Sequence, residues 1–150
     1  MLLNDLEVEN LSLNSSDKLI YNARVDSLGL FEFDNNDYVD TVNDLVMRIS
    51  VISGANLPSN DFLVELLENE LSKALIDFKF TNLSINEVLL AFRLNCVANN
   101  NINLDVEVDY VPLFGNCLSV DYILKVLYNY RKYRYSFERK IQNKLDGYNS

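Results

Sequence analysis

The chain reads as a mainly α protein of about four helices with a minor β component, with an α+β arrangement as the fallback. Three observations predict this. Apolar residues recur at three- and four-residue steps through most of the chain after residue 37, which is helical spacing. Helix-start chemistry stands ahead of those runs, most clearly in Ser84-Ile85-Asn86-Glu87. Only one stretch, residues 101–111, alternates apolar and polar side chains as a half-buried strand does. With 150 residues and 49% hydrophobic content, one core can bury roughly 70% of the unfolded surface without help from a metal or disulfide.

Residues 1–36 are the least regular part, and the sequence predicts an N-terminal arm or short strands packed on the core. Leu19, Ile20, Tyr21, Val25, Leu28, Leu30, Phe31 and Phe33 follow no clean period there. Residues 37–150 then form a helical domain. The turn residues Asp34, Asn35, Asn36 and Asp37 feed a first helix from about Tyr38 to Ser53, with Val42, Leu45, Val46, Ile49 and Ile52 on one stripe and Gly54 as its stop. After Pro58, capped by Ser59 or Asn60, a second helix runs to about Phe80. Its expected inner face is Phe62, Leu66, Leu67, Leu71, Ala74, Leu75 and Phe78, and its outer face is Glu65, Glu68, Glu70 and Asp77.

The capping box at Ser84 and Glu87, with Leu83 and Val88 as a hydrophobic staple, starts a third helix at Ile85. Val88, Leu89, Ala91, Phe92 and Cys96 point inward, and the helix ends in the asparagines 99–101. The strand at 101–111 has no partner within hairpin distance, so its pairing stays open. Pro112 and Gly115 end it, and Ser119 with Asp121 opens the last helix. That helix has an apolar seam at Ile123, Leu127, Tyr130, Phe137, Ile141 and Leu145, with Arg131 and Arg134 near its edge.

Charge is distributed unevenly along this plan. Residues 1–121 carry twenty acids and six bases, whereas residues 122–150 carry two acids and seven bases. The net charge of −9 therefore conceals an acidic body ending in a cationic helix rich in tyrosine. The candidate binding residues are Lys125, Tyr128, Arg131, Lys132, Arg134, Tyr135, Arg139 and Lys140. A purely structural role, in which these cations snorkel from a docked helix into water, is the competing account.

The same composition argues against chemistry. There is no histidine, which removes the usual triads, imidazole acid–base work and histidine metal ligands. The four glycines are isolated, so neither a dinucleotide turn nor a phosphate loop is present. Asp105, Glu107 and Asp109 lack the turn and bidentate glutamate of a calcium loop, and Asp34, Asp37 and Asp40 read as turn and helix-start residues. Cys96 and Cys117, with no C-x-x-C pattern, read as buried packing thiols. The expectation is a protein that is not an enzyme and takes no cofactor, metal or small-molecule substrate. No apolar run approaches the ~20 residues that span a bilayer. The acids Asp5, Glu7 and Glu9 stand where a secretory signal needs positive charge, so the expected location is the cytoplasm of a bacterial host, or a virion.

Residues 83–94, Tyr110 and residues 118–131 carry a resemblance. Glu87, Val88, Ala91 and Phe92 fit E-[IV]-x-x-A-F, and Val126, Leu127, Tyr130 and Arg134 fit V-L-x-x-Y-x-x-x-R. In these features the second half of the chain resembles small helical proteins of bacteriophages and mobile elements of the Bacteroidetes. Some of those proteins look like replication accessory factors of the helicase-loader type. Two functional expectations follow. One is a phage or mobile-element accessory protein whose basic aromatic helix binds nucleic acid or a replication partner. The other is a structural virion component or host-factor inhibitor acting through protein partners or self-association.

Overall fold

The computed structural model describes residue 13 and residues 15–25, 29–99 and 109–148. Five α-helices stand among them: α1 (Ser15–Val25), α2 (Asn35–Ser53), α3 (Asp61–Asp77), α4 (Ile85–Asn99) and α5 (Val120–Tyr148), with a single 3-10 turn at Leu30–Glu32. The mainly α class holds, with one helix more than the sequence predicts. The strand expected at 101–111 lies outside the described residues up to 108, and residues 109–111 are irregular. Pairing of β type is limited, among the described residues, to the single bridges Gly29 with Ser84 and Asn56 with Cys117.

The additional helix is α1, found where the sequence predicts short strands or an extended arm. Its inward positions include Asp17, Ile20 and Ala23, all buried, while Leu19 is exposed. An acid on the inner face and a leucine on the outer one erase the apolar period by which a helix is recognised. Asp17 is compensated by Lys140 of α5, whose Nζ lies 3.0 Å from Asp17 Oδ2.

The central element is α4, which packs against α1, α2 and α5, while α3 packs against α2 and α5. Val88, Leu89, Leu90, Ala91, Phe92 and Leu94 are all buried, as expected of a helix surrounded by others. The sequence-predicted inner face of α4 is therefore too narrow, because Leu90 and Leu94 are covered as well. Its start matches expectation in detail: Glu87 N–H donates to Ser84 Oγ at 3.1 Å, and Ser84 N–H donates to Glu87 Oε1 at 3.3 Å. Ser84 Oγ also donates to the Ala23 carbonyl at 2.7 Å, joining the end of α1 to the start of α4.

Helix ends shape the rest. Asp34 caps α2 by accepting the Asp37 N–H at 2.8 Å, and Gly54 closes it in the left-handed region at φ 72°. Asn60 caps α3 by accepting the Leu63 N–H at 2.8 Å. The helix stops at Asp77, earlier than expected. Lys79 takes the left-handed conformation at φ 60°, and the Phe80 N–H reaches back to the Leu75 carbonyl at 2.8 Å while the Lys79 N–H reaches Ile76 at 3.1 Å. This is a Schellman ending with lysine where glycine is usual. It buries Phe80 and turns Phe78 outward.

The face that α3 buries also departs from expectation. Leu67, Leu71 and Leu75 are inside, but Phe62, Leu66 and Phe78 are exposed at 72%, 45% and 59%. Of the two thiols, Cys96 is half-buried and Cys117 is exposed, so only the first suits a packing role. Among the described residues no helix is long and apolar enough to cross a membrane.

Candidate protein-binding groove on the cationic helix

Helical spacing separates five of the eight candidate residues of α5 from Arg131, Arg134 and Lys140. Lys125, Tyr128, Lys132, Tyr135 and Arg139 follow one another at steps of three and four, so they form a single stripe. All five are exposed. Arg134 belongs to a different stripe, the buried one made by Ile123, Leu127, Tyr130, Phe137 and Ile141. Its guanidinium lies inside the fold, correcting its place among the contact residues: Nε donates to Glu87 Oε2 at 2.8 Å, and the side chains are 14% and 2% exposed. Lys140 is also drawn away from the stripe by Asp17.

The inward group is a continuous polar network. Glu87 accepts the Tyr130 hydroxyl at 2.8 Å through the same Oε2 that meets Arg134. Arg134 reaches Glu138 at 3.5 Å, and Glu138 meets Arg24 of α1 at 3.0 Å. Burial, followed by the neighbouring Glu87 carboxylate, holds the Tyr130 hydroxyl far above its ordinary pKa, so it remains a donor. These groups join α1, α4 and α5, and their cations are committed to that task.

Of the outward group, Lys125, Tyr128 and Lys132 border a groove of about 590 Å³. Phe78, Phe80, Val111 and Leu124 contribute its apolar surface, with Lys125, Arg131 and Lys132 around them. Arg131 is half-buried and fixed: its Nη1 donates to the Phe78 carbonyl at 3.0 Å, and its guanidinium carbon sits 4.1 Å from the centre of the Phe80 ring. Lys132 Nζ lies 4.8 Å from the Tyr128 ring centre, and the Arg139 guanidinium carbon 5.9 Å from that of Tyr135. Lys125 meets Asp121 one turn earlier at 2.9 Å, with both side chains more than half exposed. Such a pair holds its members weakly, leaving the ammonium free to change partners.

The opposite wall is the segment 109–112, held by side chains that substitute for a sheet partner. Asn95 receives the Val111 N–H at 2.8 Å and donates to the Val111 carbonyl at 3.0 Å. Asn129 Nδ2 donates to the Asp109 carbonyl at 2.7 Å, and the Asp109 N–H donates to the Tyr133 hydroxyl at 2.8 Å. The result is a pinned extended segment beside α5. Sequence reasoning named Arg131 but missed Phe78, Phe80 and Val111 beside it, because the four come from three separate parts of the chain. The signal available beforehand was the three-four spacing of Lys125, Tyr128, Lys132, Tyr135 and Arg139.

No protein-family model, curated protein or solved structure matches this chain.

Proposed function

We propose that this is a non-catalytic interaction protein whose groove along α5 holds an acidic helical segment of a protein partner, with apolar side chains of that segment seated between Phe78, Leu124 and Val111. The observation that carries this reading is the pairing of an apolar groove with cations on its border. An aromatic or aliphatic anchor fits the floor, and carboxylates one helical turn away fit Lys125, Arg131 and Lys132. Tyrosine and arginine at the rim are residue types enriched in protein interfaces. The stripe repeats a cation every seven residues, about 10.5 Å along the helix, which suits a second helix laid alongside.

Nucleic-acid binding is the second reading, favoured by the exposed Tyr128 and Tyr135 rings with Lys132 and Arg139 beside them, a combination that suits base stacking next to phosphates. Fewer cations than the sequence offers are free for it, because Arg134 and Lys140 are engaged by Glu87 and Asp17. The body that bears the stripe is acidic as well, and phosphate recognition needs a cationic field.

Two fluorescent probes separate the readings: an amphipathic helical peptide with phenylalanine and leucine anchors flanked by glutamates, and a single-stranded DNA oligomer. The expected result is saturable anisotropy with the peptide, weakened at least about tenfold (1.4 kcal/mol) by Lys125→Glu/Lys132→Glu, and no saturable binding of DNA at equal salt. DNA binding with a steep salt dependence, and none of the peptide, would establish the second reading instead.

A further inference from the structure

The search for a partner of that chemistry leads back to this chain. The first half of α3 is an acidic helix with apolar side chains on its outside: Phe62, Leu63 and Leu66 are exposed at 72%, 41% and 45%. Leu66 lies four residues from Phe62 and three from Leu63, so both pair with it along the helix surface. Around them stand Asp61, Glu65, Glu68 and Glu70, with no basic residue before Lys73. Among the described residues none of these four acids forms a salt bridge.

This face and the groove sit at opposite ends of one helix. Phe78, at the end of α3, belongs to the groove wall, and Phe62 precedes it by sixteen residues, about 24 Å along the helix axis. The acidic face of a chain is thereby kept away from its own groove. A second copy is under no such constraint.

Resting on the reading of the groove given above, we infer that copies of this chain associate head to tail, the Phe62–Leu66 face of α3 in one copy seated in the groove and along the Lys125–Arg139 stripe of the next. Phe62 and Leu66 occupy the apolar floor, and the exposed Glu65 and Glu70, on either side of them, meet Lys125 and Lys132 in place of Asp121. Two different surfaces are joined, so the contact leaves a free groove at one end and a free acidic face at the other. Repetition gives a ring or an open chain, and where both contacts form between the same two copies the pair closes as a two-fold dimer. A contact built on one helix face and one groove is small, and interfaces below about 1,200 Å² are weak and transient. Association is therefore expected in the range of roughly 10 µM to 1 mM.

Charge exchange tests this in the full-length protein by sedimentation equilibrium. Three variants are needed: Glu65→Lys/Glu70→Lys, Lys125→Glu/Lys132→Glu, and the chain carrying all four changes. The weight-average mass of the wild type should rise with concentration and fall back when salt is added, because the ionic part of the contact is screened. Each two-residue variant should remain monomeric at concentrations where the wild type associates, and the four-residue variant should associate again. Circular dichroism should be unchanged throughout, since Glu65, Glu70, Lys125 and Lys132 are all exposed. A wild type that stays monomeric to on the order of 1 mM overturns the inference, as does a four-residue variant that fails to recover. The acidic peptide separates the two levels: peptide binding by a strictly monomeric chain removes self-association and leaves the groove as a site for a foreign partner, while loss of both removes the functional reading too.

Discussion

Glu87 supports more of the fold than its place in a capping box suggests. One carboxylate oxygen accepts the Ser84 N–H, and the other accepts the Tyr130 hydroxyl and Arg134 Nε. The carboxylate and guanidinium are both largely removed from water, so deleting either leaves the other buried with its desolvation cost uncompensated. Glu87→Gln should therefore destabilise the protein by about 3–5 kcal/mol, measured as a shift in the urea midpoint at unchanged slope. Glu87→Gln combined with Arg134→Met should lose at least about 1 kcal/mol less than the two single changes together. Additive losses would mean that the residues act separately. The capping half of this role was legible, since Ser84 and Glu87 are three residues apart; the partners Tyr130 and Arg134 stand more than forty positions away and no local pattern announces them. Arg134 was hidden by its charge: it fills the place between Tyr130 and Phe137 in an otherwise apolar stripe, and spacing alone puts it inside.

At the level of the helices, the two left-handed residues that end α2 and α3 make opposite predictions. Gly54 ends α2 at φ 72°, and a Cβ placed there would meet nothing within 4 Å. The penalty for Gly54→Ala is then conformational, about 1–2 kcal/mol, and Gly54→Asn should cost less because asparagine tolerates this region. Lys79 occupies the same region at φ 60° with a full side chain, so Lys79→Gly should stabilise the protein by about 1 kcal/mol. Thermal unfolding of the three variants checks both signs; a destabilising Lys79→Gly would mean that the lysine side chain compensates for its backbone. The same positions explain what could be read beforehand. Gly54 announces the end of α2, whereas nothing at Lys79 announces the end of α3, and without that turn Phe78 reads as part of an inner stripe. The helix α1 was obscured by Asp17, an acid on a buried face whose partner Lys140 lies at the far end of the chain.

Across the whole molecule, the charge asymmetry between body and last helix was visible in the sequence, and the groove it borders was not, because its apolar wall is assembled by tertiary packing. The tertiary structure also relies on protons held by buried phenols. Tyr38 of α2 donates to the Ser72 carbonyl of α3 at 2.7 Å, and Tyr130 of α5 donates to Glu87 of α4 at 2.8 Å. Burial pushes Tyr38 up to about 12 and raises Tyr130 and Tyr122 as well. The half-buried Cys96 thiol, 3.2 Å from the Ile52 carbonyl, is raised by the same cause. In the unfolded chain, phenols ionise near pH ~10 and thiols near ~8.5. Above those values the folded state retains protons that the unfolded state has released, so stability must fall as pH rises. These contributions are complete below about pH 8, begin to decline with Cys96, and decline faster once the unfolded tyrosines titrate above about pH 10. Each fully shifted phenol adds a slope of about 1.4 kcal/mol per pH unit until its folded pKa is reached, which for Tyr38 is about 12. Urea unfolding at pH 7.5, 9 and 10.5 should show a plateau followed by a fall, and Tyr38→Phe should reduce the slope of that fall by one phenol. Stability that holds level to about pH 11 would mean that these hydroxyls are not the ties between α2 and α3 and between α4 and α5.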